Sequence, residues 1–405
     1  MTRVLYVSSA GERGGAEVVL LTILAHLDRT RFEPHVVCLQ EGDLVRQMRE
    51  ESGIEAQVYP IGQFRRVWRG RRVVQRISQM ICDRSIDVVH CNGTPAQIYG
   101  GLAAKRAHTP SIYHLHDLPD SSWTRQGLVH RLAASIPASA VIAVSHFLAE
   151  QYGSFPGSAH KTHVIHNAVE LQPYRVDGDS AEGDGVRAGF GWSSDAPLVL
   201  WCGRLQHWKG AHVFVDAAAR IRDRIPAARF LVVGGSLLGL EPQYSQELSR
   251  QAQSLGLDDC LRFTGHVSDV RPFLSAADVV VHSSLRPEPF GLVVLESMAL
   301  EKAVVAPAAG GPIEMIEPGV SGSLVPPGDV EAIASAVVRL LGDDDLRRSM
   351  GQAARKRAVE SFDVAQMMQR LEGLYDRVAG ATGRGGKEHR ATRDRSGSDA
   401  LAAAK

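Results

Sequence analysis

The chain has 405 residues, 44% hydrophobic and 22% charged, which is a globular composition long enough for two domains with a core each. Lys plus Arg and Asp plus Glu both total 45, so no global field draws the chain to nucleic acid or a membrane, and any such preference must be local. The apolar run Val4 to Val7 is too short for a secretory core, no run reaches the roughly 18 apolar residues of a membrane span, and the five scattered cysteines fit neither a disulfide framework nor a zinc site; a cytoplasmic enzyme with small buried cysteines is expected.

In chain order, β-branched runs at Val4–Ser8, His35–Leu39, Val88–His90, Ser111–Leu115 and Ala140–Val144 alternate with helical patterns, which predicts a parallel sheet. Between the first two runs, Ala16, Val19, Leu20, Ile23, Leu24 and Leu27 keep the spacing of a helix that buries one face. From Gln172 to Pro197 the text turns polar, glycine-rich and acidic, and reads as a linker. A second series follows at Leu198–Cys202, Phe230–Gly234, Leu261–Thr264, Val279–His282 and Ala303–Ala306. The expected fold is α/β with two doubly wound, Rossmann-like domains: residues 1–172, a linker at 173–196, residues 197–361, a last helix at 362–378 and a disordered tail at 379–405. The acidic run Asp343-Asp344-Asp345 is read as a helix start with a capping role, because three consecutive side chains fan apart.

Chemistry is expected in the loops that follow the strands, where such sheets bind ligands. After Val279–His282 comes Arg286-Pro287-Glu288-Pro289-Phe290-Gly291, then the apolar turn of Leu292 and Val293, and Glu296 one turn on. Gly291 allows close backbone approach, the free N–H groups of Leu292 and Val293 suit a phosphate, and Glu296 suits ribose hydroxyls. After Leu198–Cys202, the loop Gly203-Arg204 to Lys209-Gly210 carries two cations that can stabilise a departing diphosphate. The loop Gly11 to Gly15 either presents amides to a ligand or simply joins strand to helix. His116, closing a first-domain strand, either bonds a sugar hydroxyl or satisfies a loop carbonyl. His266 lies where backbone groups could surround a base. No metal site is expected. The basic run Arg65 to Arg76, with Trp68, is either a solvated helix face, a contact with a phosphorylated acceptor, or a peripheral contact with anionic lipid at the inner membrane face.

Together these motifs resemble the retaining glycosyltransferases of the GT-B fold, specifically family four, or group 1, over nearly the whole chain up to about Arg377. The pattern from Glu288 to Glu296, with Phe290-Gly291 between, is the hallmark; Arg204 with Lys209, Gly15 and His116 match further positions. The resemblance implies two domains facing a central cleft and a last helix that returns to the first domain. It implies transfer of a hexosyl unit from a UDP- or GDP-type sugar, the co-substrate, to an acceptor hydroxyl, with no other cofactor and no metal. Glu288 would contact the transferred sugar with the Phe290 and Gly291 amides near its hydroxyls, Glu296 the ribose, Arg204 and Lys209 the pyrophosphate, and His116 the donor sugar. The acceptor is left open among a sugar, a lipid-linked sugar and a small natural product. An epimerase, a cyclitol–amine coupling enzyme and a non-catalytic nucleotide-sugar sensor are rival readings on the same fold.

Overall fold

A computed structural model describes residues 1–9, 14–61, 67–120, 122–155, 161–171, 181–236, 241 and 243–383. The chain forms two compact units: Met1–Val144 with Leu148–Ile165 and the segment from Ala365 onward, and Ser145–Phe147 with His166–Val364.

In the first unit, apolar β-branched runs form seven parallel strands: β1 (Thr2–Ser8), β2 (Phe32–Cys38), β3 (Ala56–Val58), β4 (Val88–Asn92), β5 (Ser111–Leu115), β6 (Ala140–Ala143) and β7 (Thr162–Val164). Their order is β3-β2-β1-β4-β5-β6-β7. Because side chains alternate along a strand, Leu5, Val7, Val37, Val89 and Cys91 share one face and pack with Val73, Ile77 and Met80 of the helix Val67–Asp83 and with Ala103 and Ala104. The opposite face carries Tyr6 and His90, which are paired in register, and His114. Over this face lies the last helix, Val364–Gly383, which from Ala365 belongs to the first unit. Arg31 pairs with Glu372 and Asp376 of that helix, and the Asp28 amide donates to Glu372 at 2.9 Å.

The second unit has six parallel strands: β8 (Leu198–Cys202), β9 (Arg229–Val233), β10 (Leu261–Gly265), β11 (Val279–Val281), β12 (Ala303–Pro307) and β13 (Ser323–Val325), in the order β10-β9-β8-β11-β12-β13. Both faces are apolar, as a sheet covered by helices on both sides requires. Val199, Trp201, Phe230 and Val232 meet Phe214, Val215 and Ile221 of the helix Ala211–Arg224, while Leu198, Leu200 and Leu231 meet Leu274 and Trp192. In each unit the strand order reverses beside its first strand, at β1/β4 and at β8/β11. Outside the carboxyl ends of these strand pairs is where open α/β sheets bind ligands.

Three strands escape the sequence pattern: β3, β7 and β13 are three-residue edge strands of mixed burial, too short for a hydrophobic period to register. The stretch read as a linker contains the helix Ala181–Gly189, after which Phe190 and Trp192, with Val186, pack against the second core. These few apolar residues and an ion pair from Arg187 to Asp278 at 2.9 Å anchor it, and its glycines mask the helical signal. The last helix runs to Gly383, beyond the expected start of the tail, and residues 384–405 lie outside the described residues. Asp343 caps the helix Asp344–Ser361 by accepting from the Leu346 amide at 2.9 Å. All five cysteines are free; four are buried, while Cys82 is exposed near the end of its helix. No described helix is long and apolar enough to cross a membrane.

Candidate functional site

In the second unit the loop after β8 and the loop after β11 meet at the strand-order reversal. Lys209 closes the short 3-10 helix His207–Lys209, and its Nζ lies 2.6 Å from Glu288 Oε1, with side-chain exposures of only 16% and 7%. The buried Ser284 hydroxyl donates to the same oxygen, and His282 Nε2 is 3.0 Å from it without hydrogen-bond alignment. Burial alone would push the Glu288 carboxyl up, but the Lys209 ammonium and then His282 outweigh it and hold it well below the ordinary carboxylate range. Oε1 is saturated, whereas Oε2 makes no hydrogen bond with any described residue. The loop after β8 is held in place by Trp201 Nε1, which donates to Ser283 Oγ at 3.0 Å, while Ser283 Oγ donates to the Gly210 carbonyl at 2.7 Å. Arg204 is exposed and its guanidinium makes no ion pair with any described residue. Sequence reasoning put both cations on a diphosphate; in this structure Lys209 also pairs with Glu288, which Arg204 does not.

Gly291, at φ +104°, is the N-cap of the helix Leu292–Ala299 and leaves the first-turn amides of Leu292 and Val293 without helical acceptors. Phe290 is buried against His166 and Phe362, at centroid distances of 6.2 and 5.9 Å, which anchors the turn. Pro289 offers only its carbonyl, and Ser145 Oγ donates to it at 2.6 Å. Glu296 sits one turn along the helix and contributes to raising the buried Cys202 thiol, after burial itself, which places its charge near the end of β8. Gly203, Gly234, Gly235 and Gly265 bring the ends of β8, β9 and β10 together: a Cβ on Gly234 would stand 1.9 Å from the Gly203 carbonyl oxygen, and one on Gly235 2.9 Å from the His266 amide nitrogen. His266 itself is exposed.

In the first unit, Gly15 opens the helix Gly15–His26; Gly11 lies outside the described residues. His116 Nε2 is 2.7 Å from Asn92 Oδ1, and Asn92 Nδ2 donates to the Ala16 carbonyl at 3.2 Å, so Asn92 links the two predicted features. Burial pushes His116 down to about 3, and it is neutral at physiological pH. Of the basic run, Arg65 and Arg66 lie outside the described residues; Arg71 and Arg72 are exposed, and Arg76 covers the Tyr59 ring at 4.2 Å.

Sequence reasoning missed His282, Ser284, Asn92 and the pair Gly310-Gly311. A Cβ on Gly310, at φ +68°, would lie 2.4 Å from the Glu288 carbonyl oxygen, and one on Gly311 2.2 Å from that of Phe290. A glycine pair just after β12 was the available signal; the polar residues needed register to be seen. Among the described residues one group, His146, His166 and Glu314, has potential metal-ligand atoms within 4.8 Å of one another. There Glu314 already accepts from the His146 and Phe147 amides and meets His166 Nε2 at 2.9 Å.

Two such units, with a paired lysine and glutamate and a glycine-led helix at the carboxyl ends of the second sheet, define a GT-B glycosyltransferase. The family model for group 1 glycosyl transferases matches residues 185–357 and that for glycosyltransferase family 4 matches residues 13–173; the chain belongs to this family and is a glycosyltransferase. It is 30% identical over 316 residues to D-inositol 3-phosphate glycosyltransferase 1 of Catenulispora acidiphila, 74% of each chain, and 27% identical over 314 residues to EpsD of Bacillus subtilis, 75% of this chain and 80% of EpsD. The crystal structure of Anabaena HepE in complex with UDP and glucose superimposes with a TM-score of 0.81 at 29% identity, over 92% of this chain and 99% of HepE.

Proposed function

We propose that the protein is a retaining, metal-independent hexosyltransferase that uses a UDP-sugar. The observation that carries the reading is the Lys209–Glu288 pair at the β8/β11 reversal, beside the free amides of Leu292 and Val293. The likeness to HepE, solved with UDP and glucose, supports UDP over other nucleotides. The rival epimerase, cyclitol-coupling and sensor readings are disfavoured by the glycosyltransferases among the relatives. Glu288 Oε2 is free to accept from a hydroxyl of the transferred sugar, with the Phe290 and Gly291 amides alongside. Arg204, Lys209 and the amides of Leu292 and Val293 hold the diphosphate, Glu296 the ribose, and the backbone around Gly203 and His266 the base. On the first unit, His116 meets a sugar hydroxyl and the Gly15 amide an anionic oxygen. The bond from the anomeric carbon to phosphate breaks as the acceptor oxygen bonds to that carbon on the same face, and the acceptor proton passes to the departing phosphate. The fixed cations are worth most as this charge develops. Scattered free cysteines suit the reducing cytoplasm.

The test is a mass-spectrometric transfer screen with UDP-, GDP-, ADP- and dTDP-sugars, EDTA and pooled acceptors, followed by NMR of the product anomer. Transfer from a UDP-sugar with retention is expected, and Arg204→Ala or Lys209→Ala should lower turnover by about two orders of magnitude. Near-normal turnover in both variants would sink the phosphate assignment, and an inverted anomer the retaining one.

A further inference from the structure

A parallel sheet covered on both sides is normally apolar on both faces, yet the face of the first sheet under the last helix carries Tyr6, His90, Asn92 and His114, each at most 3% exposed. A hydrogen-bond chain runs along it: Tyr375 OH donates to Tyr6 OH at 3.1 Å, His90 Nδ1 lies 2.8 Å from Tyr375 OH, and His90 Nε2 lies 3.1 Å from His114 Nδ1. The His114 ring, whose Nε2 has no hydrogen-bond partner among the described residues, then lies 4.1 Å from the His116 ring, centroid to centroid. A row of this kind is a costly way to fill a core unless it orients something.

The proton inventory at its upper end has one solution. The Ala16 carbonyl can only accept, so the Asn92 amide nitrogen must face it; the flipped amide would set two acceptors 3.2 Å apart. Asn92 Oδ1 therefore faces His116, and since it too can only accept, His116 must carry its hydrogen on Nε2. A neutral imidazole protonated at Nε2 has a lone pair at Nδ1, and His116 Nδ1 makes no hydrogen bond with any described residue.

We propose that Asn92 is a positioning residue that holds His116 in the Nε2–H tautomer, so that Nδ1 is presented as an acceptor to a hydroxyl of the sugar substrate. The proposal rests on the reading of His116 as a sugar contact. Through Asn92, the His116 ring and the first turn of the helix Gly15–His26 are held to the end of β4 as one piece. The titratable groups on the elements around His116 are His114, His90, Tyr6 and Tyr375 beneath it, Asp117 next in the chain and Glu17 on the helix of Ala16. The three histidines are all depressed by burial, so the row is uncharged at neutral pH and does not disturb the tautomer.

Asn92→Asp tests this, because it keeps the size of the side chain, gives up the donation to the Ala16 carbonyl, and replaces a neutral acceptor by a carboxylate that favours imidazolium. With His116 protonated, Nδ1 carries a hydrogen and can no longer accept. In UDP release from UDP-glucose, the wild type should show no acid limb from His116 across the neutral range. Asn92→Asp should lose kcat/KM as pH falls through the raised His116 value and regain it at higher pH; Asn92→Leu should lose about tenfold at every pH, as expected for one lost orienting hydrogen bond. Independently of any variant's folding, histidine-specific 15N spectra of the wild-type protein should show His116 as the Nε2–H tautomer. An Nδ1–H tautomer, or an Asn92→Asp profile parallel to the wild type while His116→Ala is crippled, would overturn this proposal alone. Full activity of His116→Ala would overturn the reading of His116 and the proposal with it.

Discussion

Glu288 concentrates the physics of the site in one side chain. A carboxylate this buried is tolerated because Lys209, Ser284 and His282 all converge on Oε1, while Oε2 makes no hydrogen bond with any described residue. Its depressed folded pKa has a definite sign in stability: the contribution is present above the ordinary glutamate value of 4.5 and is lost as pH falls through the lower folded value. Glu288→Gln keeps the shape but strands Lys209 in a largely buried position. Thermal or urea unfolding should show the variant less stable at pH 7 by about 3 kcal/mol, the low end for breaking a buried pair. That gap should shrink on acidification below pH 4.5. A gap that stays constant with pH would mean that the pair does not govern the carboxyl.

Glycines separate into two kinds at the level of elements. Gly311 lets the start of the helix Pro312–Met315 lie against the Glu288–Phe290 turn, and a methyl there would stand 2.2 Å from the Phe290 carbonyl oxygen, a backbone atom that cannot yield cheaply. Gly311→Ala should therefore displace the turn and lower kcat/KM by about tenfold or more, as a misplaced catalytic group does, with a fall in melting temperature. Gly185 lies in the helix Ala181–Gly189, exposed, with nothing within 4 Å of a Cβ. Gly185→Ala should raise stability by about 0.5–1 kcal/mol through helix propensity alone and leave kcat/KM unchanged. Unfolding curves and steady-state rates on the two variants check the contrast, and equal behaviour would remove it.

At the scale of the whole molecule, the first unit depends on the chain's last helix. Tyr375 is fully buried, with ring contacts to Phe32 and Tyr6 at 5.7 and 6.3 Å, and Leu371 and Leu374 are equally sealed. A chain ended at Asp363 would expose this face of the first sheet, including the unpaired His90 end of the polar row, while the second unit keeps nearly all of its own residues. Calorimetry should then show the first unit's transition lost or moved down by many degrees and the second unit's largely retained. A single unshifted transition would show that the helix adds nothing to the first core.

Most strands of both sheets were legible because burial on both faces writes continuous runs such as Leu198–Cys202 and Ser111–Leu115 into the chain, and the site loops because glycine and proline punctuate strand ends. The residues Glu288, Lys209, Gly291 and His116 could be named on that basis, each from its own local text. That Lys209 pairs with Glu288 across 79 positions, that Gly311 underlies Phe290, and that Asn92 fixes His116 could not be read locally. Those relations arise from strand order and register, which bring distant strand ends side by side; the linear chain determines which glycine- and proline-marked loops follow the strands, and only the folded sheets decide which groups touch.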